Sequence, residues 1–313
     1  MFNKVLDYMI SDIKKRDLKK QGYRVIGNHS AIKVCEWTKK SLRGDGICYK
    51  EKFYDTQCHR CVQMTPAVGF CSHRCTWCWR DIDFTKAKWC GEIDDPSFII
   101  DECIKEFAKT LVGFGGYKDV DKKKLKEISK PQQFAISLSG EPTMYPKLAE
   151  LILELRKRKI NSFLVTNGTQ PTALKKLLDK KAQPTQLYIT LPAPNEQTYN
   201  QVCSPLIKGS WKKILKSLEL VSKFRRHVFR LTLVKDINMN DIKEYASLIN
   251  KYKPKKIECK GYVWVGHSKE RLEKHNMPYH MDVLDFSKKL AELTGYKITN
   301  QKKESRVVLL TKD

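Results

Sequence analysis

Short apolar runs and amphipathic stretches alternate along most of this chain. Residues 133–138 form a β-type run that ends on Ser139-Gly140-Glu141-Pro142. An amphipathic helical stretch follows at 146–157, then a run at 163–166 that ends on Asn167-Gly168. The pattern continues with a helix at 171–180, a strand at 187–191 and helices at 196–203 and 211–224. A strand at 228–234, a helix at 241–252 and a strand within 257–265 complete it. The run at 65–70 adds one more strand, which makes six β units with helical crossovers. Such alternation predicts a parallel sheet. Glycine and polar residues gather after the strand ends, at 139–142, 167–168, 235–236 and 266–267, where parallel barrels place their sites. Six units are too few to close an eight-stranded barrel, so the expected fold class is α/β, an open partial (β/α)6 barrel.

Flanking this core, residues 1–22 read as a helix, with Val5, Met9, Ile13 and Leu18 near a helical period and lysines on the other face. Residues 23–64 read as loop-rich, and 96–112 as a helix with Pro96 in its first turn. A Lys-rich segment covers 118–130, and the tail over 296–313 is helix-free with a strand-like end at 306–310. The expected organisation is an N-terminal helix and cysteine-rich region over 1–64, the partial barrel over 65–267, and a C-terminal helix and strand extension over 268–313. No internal repeat or low-complexity segment appears.

Composition narrows the class of function. The chain has 313 residues, 41% of them hydrophobic, and no apolar run of transmembrane length. Its mildly apolar start is broken by Asp7 and followed by Asp12 and Lys14-Lys15-Arg16, unlike a signal peptide. A cytoplasmic protein with no membrane partner is expected. Sixty basic residues face 35 acidic ones, a formal charge of +25. Adaptation to heat usually raises Glu along with Lys. A one-sided excess repels itself unless a polyanion uses it, and nucleic acid is the natural candidate. Lys122-Lys123-Lys124, Lys212-Lys213 and Arg225-Arg226 are clusters suited to phosphates. Eleven cysteines in a reducing compartment suggest metal or redox chemistry before disulfides. Seven lie between Cys35 and Cys78, and Cys90, Cys103, Cys203 and Cys259 are expected to be small buried apolar side chains.

Cys71, Cys75 and Cys78 form a C-x3-C-x2-C group. Thiolates suit zinc and iron–sulfur clusters; zinc would want a fourth protein ligand, whereas three thiolates on a four-iron cubane leave one iron open. The group resembles the signature of the radical S-adenosylmethionine (radical SAM) superfamily. That resemblance implies a [4Fe–4S] cluster whose open iron chelates the methionine moiety of S-adenosylmethionine, and a 5′-deoxyadenosyl radical released by one-electron cleavage. It also implies the partial barrel. Ser139-Gly140-Glu141-Pro142 resembles the superfamily's GGEP-type motif, which meets the methionine ammonium, with Ser139 in place of the first glycine. By the same resemblance Asn167 and Thr190 would meet the ribose or carboxylate, and Trp77 would pack beside the adenine.

Cys35, Cys48, Cys58 and Cys61 are a second group. A four-cysteine zinc site and a second cubane on three of them both fit, and the Cys58-x2-Cys61 pair slightly favours zinc. As a whole, residues 20–300 resemble the archaeal, single-module tRNA 4-demethylwyosine synthases. The points of likeness are the evenly spaced Cys35, Cys48 and Cys61 ahead of Cys71, with Lys50 two residues after Cys48. The resemblance turns the zinc reading around: Cys35, Cys48 and Cys61 become ligands of a second [4Fe–4S] cluster and Cys58 a bystander. It implies that N1-methylguanosine beside the anticodon of tRNA-Phe is joined to a two-carbon unit of pyruvate. The second cluster's open iron would bind pyruvate, and Lys50 would form an imine with its carbonyl, which requires a neutral amine. Eukaryotic relatives carry a fused flavodoxin domain, for which this sequence has no room. An external flavodoxin- or ferredoxin-like electron donor and a monomer are therefore expected. The rival readings are another radical SAM enzyme, such as a glycyl-radical activase, and a non-catalytic, zinc-stabilised RNA-binding protein.

Overall fold

The structure, a computed structural model, describes residues 10–312. Val5 and Met9 of the expected first helix lie outside the described residues, and the remainder forms α1 (Asp12–Lys20). By its contacts the chain divides into two compact units. One comprises residues up to Cys71 with 88–164 and 180–185; the other comprises 72–87, 165–179 and 186 onward.

In the first unit α1 leads into a short hairpin, β1 (Arg24–Ile26) and β2 (Ser30–Ile32). The helices α2 (Glu36–Arg43) and α3 (Tyr49–Tyr54) precede β3 (Cys61–Thr65). Then come α4 (Pro96–Leu111), α5 (Lys122–Glu127), β4 (Gln133–Ile136), α6 (Leu148–Lys157) and β5 (Asn161–Thr166), whose last two residues fall in the second unit. The strand β2 pairs antiparallel with β3, and β3, β4 and β5 run parallel, with Val62 opposite Phe134 and Ile136 opposite Leu164. All four residues of β4 are buried, as a strand covered on both faces requires. Beside it α4 packs on β1, β2 and β3 and places Ile99, Ile100, Cys103, Phe107 and Leu111 inward. It begins with the Asp95 carboxylate accepting from Ser97 N–H and Pro96 in the first turn, where no amide partner is needed.

Two expectations change here. The strand expected at 65–70 lies at Cys61–Thr65, because Pro66 has no amide to continue the ladder and the chain turns through Gly69 at φ 77°. The stretch expected as loop-rich, 23–64, holds β1, β2, α2, α3 and most of β3; these elements are three to eight residues long, too short to leave a periodic signal.

The second unit contains α7 (Pro171–Asp179), β6 (Gln186–Thr190), α8 (Glu196–Cys203), α9 (Ser210–Leu220), β7 (His227–Leu233), α10 (Ile242–Tyr252), β8 (Lys256–Gly261), α11 (His280–Thr294), β9 (Lys297–Lys302) and β10 (Val307–Thr311). The strands β6, β7 and β8 are parallel, and β10 then β9 extend them antiparallel. With β3, β4 and β5 these account for the six β units read from the sequence. The tail strand β10 is apolar and buried, as its sequence suggested. The outer strand β9 was not foreseen: Lys297–Lys302 alternates exposed and half-exposed positions, as an edge strand guarded by lysines does.

Candidate functional site

In the first unit the cysteines sit at the starts of regular elements. Cys35 is the N-cap of α2, Cys48 the N-cap of α3, and Cys61 the first residue of β3. The Cys48 thiol accepts from the Lys50 amide at 3.5 Å. A helix N-terminus carries partial positive charge that favours a thiolate. Burial pushes the Cys35 thiol up, and the first-turn amides of Trp37 and Thr38 with Lys50 pull it back. Burial raises Cys61 to about 12, opposed by Lys50 and reinforced by Cys48 and Cys35. These three thiols and Lys50 thus share one field, and the Lys50 ammonium lies 5.2 Å above the Phe163 ring.

Cys58 is placed differently. It is buried, accepts from Cys48 N–H at 3.4 Å and donates to Trp37 O at 3.6 Å, while its own amide donates to the Glu51 carboxylate at 2.8 Å. Burial and Glu51 push its thiol up to about 12. It braces the starts of α2 and α3. Four zinc thiolates, each about 2.3 Å from the metal, would lie within about 4 Å of one another. Among the described residues the group of ligand atoms gathered within 4.8 Å is His73, Cys75 and Cys203, not the N-terminal cysteines.

The same unit fixes the turn that delivers Cys71. Val68 N–H donates to His29 O and Ala67 N–H to Thr65 Oγ1. The buried His29 ring accepts from Asp94 N–H through Nε2 and donates to Pro66 O through Nδ1, so it is neutral, and burial lowers its pKa. Phe70 stacks on Trp89 at 4.4 Å. Against this turn lies Ser139-Gly140-Glu141: Thr65 Oγ1 donates to Ser139 O, and Glu141 N–H to Phe70 O at 2.6 Å. Gly140 has φ 66°, and a Cβ there would fall 1.9 Å from Ala67 O, so glycine alone fits. The Glu141 carboxylate is buried and accepts from the Thr143 amide at 3.1 Å and hydroxyl at 2.6 Å.

In the second unit the rest of the cysteine loop is held by chain remote in sequence. Thr76 N–H donates to Val202 O and Arg74 N–H to Cys203 O, which satisfies carbonyls left open at the end of α8. Leu206 N–H donates back to Ser72 O. Arg271 donates to the carbonyls of Thr76 and Cys78. Gly266, at φ 59°, lets its segment close on Trp79, whose carbonyl oxygen would be 2.4 Å from a Cβ there. His73 bridges the Tyr199 hydroxyl, at 2.6 Å, and the Cys75 thiol. Its hydrogen bond with Cys203 and burial push the Cys75 thiol well up, and burial raises Cys78 to about 11. A bound metal deprotonates such thiols outright.

Asn167 donates to Ser72 Oγ at 3.2 Å and accepts from the Thr169 amide and hydroxyl, while Ser72 and Thr169 hydroxyls meet at 2.7 Å. Trp77 is half-buried against Val234, Tyr262 and Leu272. Thr190 ends β6, opposite Arg230, whose guanidinium binds the fully buried Glu258 at 2.9 and 3.1 Å and stacks over Tyr188 at 4.5 Å.

A model of the radical SAM superfamily matches residues 65–249, and a model described as wyosine base formation matches 251–312. The tRNA 4-demethylwyosine synthase of Pyrococcus abyssi is 45% identical over 298 residues, covering 94% of this chain and 87% of that protein. The chain belongs to the tRNA 4-demethylwyosine synthase family. The family's member from Methanocaldococcus jannaschii is 36% identical over 96% of both chains. A solved structure of TYW1 with a lysine-pyruvate adduct bound superimposes with TM-score 0.87 at 35% identity, over 97% of each chain. The fold is accordingly the α/β radical SAM fold, and a radical SAM enzyme of this family uses S-adenosylmethionine and a [4Fe–4S] cluster. Thiolate ligation of such a cluster requires unpaired cysteines, and Cys71, Cys75 and Cys78 form no disulfide.

Several residues in these contacts were not singled out by the sequence. Ser72, Thr169, Arg271, Arg230 and Glu258 carry no motif of their own. Cys203, expected as an apolar filler, is buried but also bonds Cys75. Cys103 and Cys259 are buried fillers as expected. Among the described residues no helix is long and apolar enough to cross a membrane.

Proposed function

We propose that this chain builds the tricyclic 4-demethylwyosine base on tRNA-Phe, joining N1-methylguanosine beside the anticodon to the two-carbon unit of pyruvate. The observation that carries this reading is the convergence of Cys35, Cys48, Cys61 and Lys50 on one field at the starts of α2, α3 and β3. Cys71, Cys75 and Cys78 hold the cluster that serves S-adenosylmethionine, and Cys35, Cys48 and Cys61 hold a second [4Fe–4S] cluster. When bound, these groups supply the one-electron opening of the N1-methyl C–H bond and an open iron for pyruvate.

The chain's own residues do the positioning. The Lys50 amine bonds the pyruvate carbonyl carbon as an imine, losing water, and so holds the two-carbon unit while the carboxylate carbon departs. The Phe163 ring faces the Lys50 side chain. Ser139, Gly140 and Glu141 receive the methionine ammonium. Asn167, fixed by Ser72 and Thr169, and Thr190 meet the ribose or carboxylate, and Trp77 flanks the adenine. The protein works as a cytoplasmic monomer with a separate flavodoxin- or ferredoxin-like donor. The relative solved with a lysine-pyruvate adduct supports the role given to Lys50.

The test is borohydride reduction of the iron-loaded protein with labelled pyruvate, followed by peptide mapping. One label on Lys50, absent from Lys50→Ala, is expected, together with a fall in product formation on the order of 10³-fold. Label persisting in Lys50→Ala would overturn the assignment.

A further inference from the structure

We propose that residues 112–126 form an RNA-contacting strip that stacks an unpaired base of the substrate on Tyr117 and binds the neighbouring phosphates through Lys118, Lys122, Lys123 and Lys126. The inference rests on the function proposed above and adds where the RNA is gripped. Several independent features meet in this strip.

It exposes apolar surface that a solvated loop has no use for. Val112 is 69% exposed and Tyr117 56% exposed, and the Phe114 and Tyr117 rings lie 5.3 Å apart. An exposed ring, here Tyr117 backed by the half-buried Phe114, beside a row of cations supplies the two components of single-stranded nucleic-acid recognition. Between residues 117 and 130 there are six lysines and three carboxylates. Two of the three carboxylates are engaged locally: Asp121 caps α5 through the amides of Lys123 and Lys124, and Glu127 binds His59 at 2.7 Å. Lys124 is also engaged, donating to Ser41 O at 3.1 Å, whereas Lys118, Lys122, Lys123 and Lys126 point to solvent.

The strip's anchors connect it to the proposed pyruvate site within the same unit. Asp121 N–H and the Lys124 ammonium bind the last turn of α2, whose N-cap is Cys35. His59 and Arg60, the latter donating to Lys130 O at 2.8 Å, directly precede Cys61. Gly113 and Gly116 have nothing within 4 Å of a Cβ built on them, and neither has positive φ. Neither packing nor backbone geometry demands glycine there, so its remaining effect is freedom of the strip to adapt to a ligand. An acidic electron-transfer protein would use the lysines but not the rings, and RNA uses both.

The experiment measures binding of a fluorescent tRNA, and turnover of the same tRNA carrying N1-methylguanosine, for iron-loaded wild type, Tyr117→Ala and a Lys122/Lys123/Lys126→Gln variant. Loss of one stacked base should weaken binding by roughly 5- to 150-fold in Tyr117→Ala. Loss of three phosphate contacts should make the slope of log K against log salt shallower by about 2. In both variants KM for tRNA rises while turnover at saturating tRNA and iron content stay at wild-type values. Wild-type affinity and salt slope in both variants would overturn the proposal. So would a defect confined to reduction by an added flavodoxin, which would mark the strip as the donor's dock. A wild type that binds tRNA through this strip but forms no product would instead sink the function and leave the strip standing.

Discussion

The two cysteine groups are built in opposite ways. Cys35, Cys48 and Cys61 stand at the starts of two helices and a strand, so local backbone aims them. Cys75 and Cys78 lie in a loop that forms no helix or strand of its own, and are held by α8 carbonyls more than 120 residues away and by Arg271, 193 residues from Cys78. The contrast separates how a ligand set is recognised from how it is held. The compact motif is plain in sequence but depends on distant residues, whereas the dispersed set has a weak signature and, at Cys35 and Cys48, a local scaffold.

The strongest way to break this contrast is to empty one site at a time. Anaerobically purified wild type should hold about eight irons, and Cys71/Cys75/Cys78→Ala and Cys35/Cys48/Cys61→Ala about four each, with product formation lost in both. A variant that empties both sites would show that they are not built independently. A smaller effect tests the remote scaffold. Arg271→Met removes a charged donor from the carbonyls of Thr76 and Cys78, which should cost about 1.5–3 kcal/mol. Iron chelation followed over time should then show one set of irons leaving faster while the other keeps its wild-type rate. The smallest effect concerns Cys58. Cys58→Ala should keep about eight irons and lower stability by about 1 kcal/mol in denaturant titration, because it loses a brace and not a ligand. Loss of four irons in that variant would return Cys58 to the ligand set.

What could be read from the sequence follows the same division. The six parallel strands were legible because buried runs of four to seven residues alternate with amphipathic helices. The first strand was misplaced: Val62 and Met64 carry its buried face, but they lie between Cys61 and Pro66 in a stretch without a long apolar run. The motif cysteines and Ser139-Gly140-Glu141 stood out in the sequence because their pattern is local. Ser72 with Thr169, Arg230 with Glu258 and the Cys75–Cys203 contact were not, because each joins residues brought together only by tertiary structure. Gly140 shows the two kinds of information agreeing: the motif names a glycine, and the 1.9 Å approach to Ala67 O gives the reason.

The helices α2 and α3 have eight and six residues, below the length at which an isolated helix holds together in water. Cys61, at the head of β3, pairs with Gln133 of β4, so its position depends on chain made much later. During synthesis, then, the N-terminal cysteines leave the ribosome first yet are brought into register only after β4 has followed. Any group that these cysteines hold can therefore find its ligands in register only once residue 136 has emerged, 75 residues after Cys61 itself.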